Sequence, residues 1–136
     1  MKIAEVKTHV LKAALSEPFH WAIGEAQARG SCIVEVITDT GVLGWGECFG
    51  PAGPAAAMVE AYKPWLIGAN PLATDKIWQT LYGAFRDQGQ KGVPICAISG
   101  IDIALWDIKG KHFGAPIHQL LGGPLRTRVK AYATGT

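Results

Sequence analysis

The segment from Ala97 to Gly123 constrains the fold more than any other part of the chain. Its large aliphatic residues recur at steps of three and four, the spacing that places side chains on one face of an α-helix: Ile98, Ile101, Leu105 and Ile108. Gly114 and Pro116 follow the last of them and predict the end of the helix. Gly100 and Gly110 lie inside it, although each costs about 1 kcal/mol relative to alanine. We therefore predict that another backbone or a bulky side chain packs closely against the helix there.

The N-terminal part of the chain predicts a three-stranded antiparallel sheet. Residues 2–12 form the first strand, whose buried positions are expected to be Ile3, Val6, Val10 and Leu11. Residues 14–30 are predicted to be irregular, with Pro18 as a breaker. The β-branched run at residues 31–39 and the following residues 42–49 are predicted to form a hairpin.

Helices are predicted after the sheet. The first spans residues 54–66, and Thr74 is predicted to cap the second. The second helix is expected to carry its apolar residues on one face: Ile77, Trp78, Leu81 and Phe85. The long helix follows a break at residues 89–94, a short helical turn follows at 116–121, and residues 128–134 read as one more strand. Strands followed by a bundle of helices make an α+β fold.

Composition and charge exclude several classes of protein. The 136 residues carry a net charge of +2 without a block of like charges, which argues against a nucleic-acid or membrane-surface partner. The N-terminus lacks the apolar run of a secretory leader. Cys32, Cys48 and Cys96 are odd in number and widely spaced, which indicates reduced thiols in a cytoplasmic protein and offers no zinc-ligand spacing. The chain can bury a core, but it is too short for a TIM-type barrel of about 250 residues.

The string AISGIDIALWDIKGKHFGAPIHQLLGG at residues 97–123 resembles the linker helix of the mandelate racemase/muconate lactonizing branch of the enolase superfamily. The resemblance implies an N-terminal capping domain at residues 1–124, followed at 125–136 by the first strand of a (β/α) barrel. It also implies proton abstraction beside a carboxylate, with Mg²⁺ stabilising the enediolate and a lysine or histidine as base. In the family these groups sit on barrel strands. No catalytic or metal-binding residue is therefore expected in this chain, and the chain alone is expected to be inactive.

The resemblance further implies that two segments of the chain cover a substrate. The first capping segment would present Phe19, His20, Trp21 and Ile23. Regular secondary structure does not need the rings of the first three, and exposed rings on loops usually contact a ligand or a partner. The second would present Glu47, Phe49 and Pro51. Glu47 is open to two interpretations: an acid near the substrate, or a structural glutamate that bonds to backbone, and the second is favoured. Lys91 is a possible contact for a substrate anion, with a solvated turn as the favoured interpretation.

Other charged and glycine-rich segments favour structural roles. The sequence GWGECFG at 44–50 lacks the spacing and the strand-to-helix setting of a nucleotide loop. Its first two glycines are expected to leave a groove on one strand face, with Trp45 and Glu47 on the other. Asp107 and Lys111 are predicted to form a helix-surface pair, and Asp102 and Trp106 are predicted to hold the helix against its neighbour. Lys109 is likewise assigned a structural role, and the basic run Arg126, Arg128 and Lys130 is read as one face of a strand.

The partners implied by the resemblance are a small carboxylate substrate (an acid sugar or hydroxy acid), the protein's own barrel and further copies of itself. The favoured activities are those of racemases and acid-sugar dehydratases. A cap of a muconate cycloisomerase or dipeptide epimerase is an alternative within the family. An alternative from another class is a free-standing domain that works by binding or assembly, against which the unpaired edge of the last predicted strand argues.

Overall fold

A computed structural model describes residues 1–133. Three strands are followed by helices: β1 (Ile3–Trp21), β2 (Gly24–Thr38), β3 (Leu43–Cys48), α1 (Ala52–Leu66), α2 (Thr74–Ala84), a 3-10 turn (Arg86–Gln88), α3 (Val93–Phe113) and α4 (Ile117–Leu120). The strands form one antiparallel sheet in the order β1-β2-β3, and the helices cover one of its faces. The predicted α+β fold with a three-stranded antiparallel sheet is confirmed.

The segment at residues 14–30 is a two-stranded ribbon, and the prediction of an irregular loop is wrong. β1 and β2 pair from Ile3 opposite Thr38 as far as Trp21 opposite Gly24. The pairing jumps between Ala14 and Phe19, so that the four residues between them face one residue of β2. Pro18 lies in this bulge, where its missing N–H removes no ladder hydrogen bond. A proline that breaks the sequence pattern therefore leaves the ribbon intact.

The buried part of β1 is shorter than predicted. Ile3 and Val6 are buried in the core, but Val10 and Leu11 are 54% and 55% exposed. Leu11 pairs with Ser31 on the sheet face that the helices do not cover. Val10 pairs with the buried Cys32 on the covered face, but it belongs to the outer strand of the sheet and stays half exposed. The prediction of burial was wrong for Val10 and Leu11 and was confirmed for Ile3 and Val6.

The predicted apolar face of the long helix is confirmed in α3. All four aliphatic residues of the pattern are buried, with at most 1% of their surface exposed. Pro94 lies in the first turn, where its lack of an N–H costs no helical hydrogen bond. Gly114 ends the helix in the left-handed conformation, with φ at 62°.

The glycines of α3 and β3 permit a backbone-to-backbone contact. A Cβ on Gly44 would overlap the carbonyl oxygen of Ala104, and one on Gly46 would overlap that of Gly100. A Cβ on Gly100 would in turn overlap the sulfur of Cys48. The groove predicted on β3 is therefore filled by α3, and the close approach predicted at Gly100 is confirmed.

The second helix differs from its prediction at both ends. Thr74 is the first residue of α2, and Ala73 stands at the cap without a side-chain hydrogen bond. The hydroxyl of Thr74 instead accepts a hydrogen bond from Lys109 Nζ at 3.2 Å. Phe85 follows the helix, and its ring packs at 5.2 Å from the ring of Tyr62 on α1. Thr74 and Phe85 therefore connect neighbouring helices, whereas the sequence pattern predicted a cap and an apolar face within the second helix.

Asp107 and Lys111 connect α3 to the open edge of the sheet. The Asp107 carboxylate accepts a hydrogen bond of 2.9 Å from the backbone N–H of Trp45 and one of 2.7 Å from Lys111 Nζ. Lys111 Nζ also donates to the carbonyl of Leu43 at 2.8 Å. These two backbone groups belong to the edge of β3 that is unpaired within residues 1–133. The predicted helix-surface pair therefore also blocks that edge against pairing with another chain.

The residues after α4 expose apolar side chains. Residues 128–133 are not in a strand, and Thr134, the end of the strand predicted there, lies outside the described residues. A groove of about 900 Å³ runs along this part of the chain and is lined in part by Leu121, Leu125 and Val129. The assignment of residues 125–136 to a barrel stays a prediction, because a barrel strand forms only beside its neighbours. None of the helices within residues 1–133 has the length and apolar character needed to span a bilayer.

Candidate functional site

The segment predicted to form the first cap is the tip of the β1–β2 ribbon. Trp21 pairs with Gly24 across a two-residue turn, and its indole ring lies against Gly24, where a Cβ would come within 2.8 Å of the ring. The rings of Phe19 and Trp21 are 6.3 Å apart. Ile23, in the turn, is almost fully exposed. The tip thus presents apolar side chains to solvent from an ordered, hydrogen-bonded base.

Two charged residues of β2 hold the tip side chains. The guanidinium of Arg29 lies 4.7 Å from the centre of the Phe19 ring, a distance at which a cation is attracted to the ring face. Glu25 lies opposite His20, and their nearest oxygen and nitrogen are 3.6 Å apart. Sequence reasoning did not single out Arg29 or Glu25. Only the pairing register of the ribbon brings them to Phe19 and His20.

The segment predicted to form the second cap follows the end of β3. Phe49 is 83% exposed, and Gly50 next to it has φ at 94°, a conformation that favours glycine. Pro51 then stands at the N-terminal cap of α1. The chain thus turns sharply after Cys48 and presents the Phe49 ring to solvent.

A cleft of about 520 Å³ opens beneath Phe49, between the end of β3 and α3. The residues that line it are Gly30, Glu47, Cys48, Phe49, Gly50, Ser99 and Ile103. Most of these residues are glycines or apolar residues, and Ser99 contributes a hydroxyl from α3. The Glu47 side chain lies on the sheet face away from α3, because its neighbours Gly46 and Cys48 face that helix. We call it the Glu47 cleft.

Glu47 is fixed by a side chain and not by backbone. Its Oε1 accepts a hydrogen bond from the hydroxyl of Ser31. Ser31 lies on the same sheet face one diagonal step away, since Ile33 is the direct partner of Glu47. The expected backbone hydrogen bond is replaced by this cross-strand pair.

The structure brings only part of the predicted site together. Glu47 and Phe49 line one cleft, and the ribbon touches the second segment at its base, where Gly30 faces Ala52. About 20 Å of extended chain separates Gly30 from Gly24 at the ribbon tip. The tip residues and the Glu47 cleft are therefore two separate surfaces of this domain.

Lys91 lies in an exposed turn before α3. Gly89 and Gly92 on either side have positive φ values of 101° and 72°. Gln90 holds the turn by donating a hydrogen bond of 2.7 Å to the carbonyl of Tyr82. In the part of the chain that the structure describes, the ammonium group of Lys91 forms no ion pair.

Asp102 and Trp106 lie between α3 and α2, as the sequence predicts. They line a small cleft together with Asp75, Trp78 and Gln79 of α2. Burial raises the pKa of Asp102, the Asp75 carboxylate raises it further, and Lys109 opposes the shift. Lys109 Nζ lies 4.5 Å from the centre of the Trp106 ring. These contacts join the two helices and support the structural interpretation.

Two of the three cysteines, Cys32 and Cys48, have buried thiols of low reactivity. Cys32 and Cys48 are direct partners across β2 and β3, and both are free. Burial, followed by the neighbouring Cys32, raises the pKa of Cys48 to about 12. Since the thiolate is the reactive form, this thiol is not a nucleophile near neutral pH.

The described residues do not fit a magnesium site. Within residues 1–133, no three side chains of histidine, cysteine, aspartate or glutamate converge as metal ligands would. A hard divalent cation needs several oxygen ligands at one point.

Comparisons with known proteins agree with the fold. Residues 3–122 match the family model "Mandelate racemase / muconate lactonizing enzyme, N-terminal domain". The chain is 57% identical over 136 residues to a D-galactarolactone cycloisomerase of Agrobacterium fabrum, covering 100% of this chain and 36% of that protein. It is 46% identical over 104 residues to a D-galactonate dehydratase of Pectobacterium atrosepticum, covering 74% and 26%.

A solved structure from the enolase superfamily has the same fold as this chain. The crystal structure of an enolase-superfamily member from Polaromonas sp. JS666 superposes with a TM-score of 0.89 at 33% identity, over 99% of this chain and 36% of that one. The chain thus spans about a third of the length of this structure and of the cycloisomerase, and about a quarter of the dehydratase.

Proposed function

The chain belongs to the mandelate racemase / muconate lactonizing enzyme family of the enolase superfamily, and on this premise we propose that it is the substrate-capping domain of a longer enzyme. That enzyme abstracts the proton next to the carboxylate of an acid sugar. The names of the relatives support this substrate class, because one acts on D-galactarolactone and the other on D-galactonate. They include a cycloisomerase and a dehydratase, so both reaction types belong to the proposal.

The observation that carries the proposal is the pair of capping segments with exposed aromatic residues on an ordered base. The ribbon tip presents Phe19 and Trp21, and the turn after β3 presents Phe49. Aromatic rings on rigid supports can close over a ligand at a small cost in conformational entropy. In the proposed enzyme they exclude water from the reacting carbon, which strengthens the electrostatic interactions made there.

The chemistry itself is assigned to the remainder of the longer protein. Mg²⁺, when bound there, offsets the negative charge that develops on the substrate carboxylate. This chain contributes the cover, the orientation of the substrate and the surface that the barrel covers. The exposed apolar groove at Leu121, Leu125 and Val129 supports that last role, because apolar surface of this kind is usually buried by a partner.

The role of the ribbon tip can be tested by replacing Trp21 with alanine in the longer protein. We expect KM for its acid sugar to rise about tenfold, because an aromatic side chain contributes on the order of 1.5 kcal/mol or more when a ligand buries it. His20→Ala is expected to raise KM as well, by a smaller factor. The measurement is steady-state kinetics over a panel containing D-galactarolactone and D-galactonate.

The matched control is Trp78→Ala, which removes a partly exposed tryptophan from α2, outside both capping segments. This variant should keep the KM of the parent protein. Equal kinetics for Trp21→Ala and the parent on every substrate of the panel would contradict a capping role for the ribbon tip.

A further inference from the structure

One stripe of α3 runs along the unpaired edge of β3. Its members are four residues apart and therefore lie on one side of the helix: Ser99, Ile103, Asp107 and Lys111. The second half of the stripe is bonded to the strand, since the carboxylate accepts from the Trp45 N–H and the ammonium group donates to the Leu43 carbonyl. The first half, a serine and an isoleucine, forms no hydrogen bond with the strand within residues 1–133 and lines the Glu47 cleft instead.

Glu47 presents unpaired backbone groups at this part of the edge. The N–H of Trp45 and the C=O of Leu43 point away from β2, because side chains of α3 bond them. Backbone groups of residues two apart on a strand point in the same direction, so the N–H and C=O of Glu47 point away from β2 as well. Within residues 1–133 neither of these two groups forms a hydrogen bond.

The Glu47 cleft borders these two groups. The side chain of Glu47 lies on the other sheet face, so the backbone is the part of this residue that borders the cleft. Phe49 and Ile103 supply apolar surface beside it. A sheet edge with free backbone groups and an adjoining apolar pocket can accept an extended segment. The main-chain hydrogen bonds then fix the segment, and the pocket takes one of its side chains.

The free length of this edge is short, which decides what can occupy it. The bonds from α3 block the edge as far as the Trp45 N–H, and the chain turns away at Gly50. Little more than the two groups of Glu47 is left for pairing. So few hydrogen bonds offset only a small part of the freedom that two separate molecules lose when they associate. A segment of the same chain is already held at a high effective concentration, so a short pairing is sufficient for it.

We propose that an extended segment from the remainder of the longer protein adds to the edge of β3 at Glu47 and places an apolar side chain in the Glu47 cleft. This inference rests on the part of the proposed function that makes the chain one domain of a longer enzyme. The chain covers 36% of the cycloisomerase to which it is similar, so most of a protein of that length is available to supply the segment. The added segment fixes the domain to the rest of the enzyme beside Phe49 of the second capping segment.

The test is amide hydrogen exchange in the longer protein, resolved to single residues by mass spectrometry and corrected for intrinsic exchange rates. The Leu43 N–H is the internal control, because it also points away from β2 on this edge and forms no hydrogen bond within residues 1–133. We expect the Glu47 amide to exchange at least about 100-fold more slowly than the Leu43 amide. Equal exchange rates at the two positions would overturn the inference.

Two other patterns of exchange would overturn it as well. Protection of the Glu47 amide that disappears when dilution dissociates an oligomer would assign the segment to a second copy of the protein. Protection that is present only with D-galactarolactone or D-galactonate bound would assign the contact to the substrate. The inference therefore requires protection in the dilute protein without substrate.

A matched pair of proline variants of the longer protein tests the same contact by stability. Glu47→Pro removes the outward N–H and obstructs the free part of the edge, whereas Leu43→Pro makes the same change where α3 already blocks it. Neither variant removes a hydrogen bond to β2. We expect Glu47→Pro to lower the melting temperature by at least about 3 °C more than Leu43→Pro, because only Glu47→Pro loses the added segment. Equal losses in the two variants would speak against the segment. The exchange measurement needs no substitution and decides the result if Glu47→Pro does not fold.

Turnover of D-galactarolactone and D-galactonate by the unsubstituted protein, measured in parallel, reports on the proposed function separately. An active protein with fast exchange at Glu47 overturns this inference alone. An inactive protein with slow exchange at Glu47 overturns the proposed acid-sugar activity and leaves the added segment supported.

Discussion

Replacing Gly46 with alanine is expected to lower the free energy of unfolding by about 3 kcal/mol or more. The new methyl group would overlap the carbonyl oxygen of Gly100 and crowd the backbone nitrogen of Ala104. Both are backbone atoms inside α3, so a change of side-chain rotamer cannot relieve the overlap. The whole helix would have to move off the sheet.

The measurement for Gly46→Ala is urea-induced unfolding of this chain, with Gly83→Ala as the matched control. Gly83 lies in α2, and a Cβ placed on it meets no atom within 4 Å. The control should keep the stability of the parent chain or raise it by up to about 1 kcal/mol, because alanine favours a helix over glycine. A loss below about 1 kcal/mol in Gly46→Ala, or equal losses in both variants, would contradict the close packing of α3 on β3.

Replacing Ile101 with alanine is expected to cost about 2–5 kcal/mol, since it leaves a cavity in a closely packed core. Ile101 is fully buried, between the sheet and the helices, on the face of α3 that the sequence pattern defines. A domain of ordinary stability, about 5–15 kcal/mol, would lose a large fraction of it. Urea-induced unfolding measures this loss directly.

Ile103 provides the control for this second prediction. It lies two residues further along α3, and it is 45% exposed where Ile101 is 0% exposed. Ile103→Ala removes the same atoms from the same helix, and should cost less than half as much as Ile101→Ala. Equal losses would show that α3 does not present the predicted face to the core.

Patterns of local spacing predicted α3 and a close neighbour at Gly100, but they did not identify that neighbour as the sheet of this same domain. The periodic aliphatic residues define the buried face, and the glycine inside the helix at position 100 indicates a close neighbour. The alternating glycines at 44 and 46 independently indicate a free strand face. Two segments more than fifty residues apart thus carry complementary signals, and the structure joins them.

The ribbon could not be predicted from its own composition. Its strands carry few β-branched residues between 12 and 30, and Pro18 suggests a break. What holds the ribbon is pairing between β1 and β2, with a bulge that accommodates the proline. Local propensity does not contain this register. Val10 and Leu11 were expected in the core because both are apolar, although consecutive strand residues point to opposite faces of a sheet.

The residue types near the end of β3 predicted Glu47 and Phe49 as site residues, but they did not predict which other side chains lie beside them. Glu47 and Phe49 were identified from the segment after the glycines, whereas Ser31 and Ser99 come from another strand and from α3. Likewise, the hydrogen bond from the Trp45 N–H to Asp107 joins residues 62 positions apart. Such contacts depend on which strand is left at the edge of the sheet, and no short-range pattern records that.

We propose that this chain covers the substrate of an acid-sugar enzyme and that the remainder of a longer protein carries the chemistry. The proposal is tested by measuring turnover of D-galactarolactone and D-galactonate with Mg²⁺, by the longer protein and by this chain of 136 residues in parallel. We expect turnover of at least one of the two by the longer protein, and none by the chain alone. Turnover by the isolated chain, or turnover of neither compound by the longer protein, would contradict the claim.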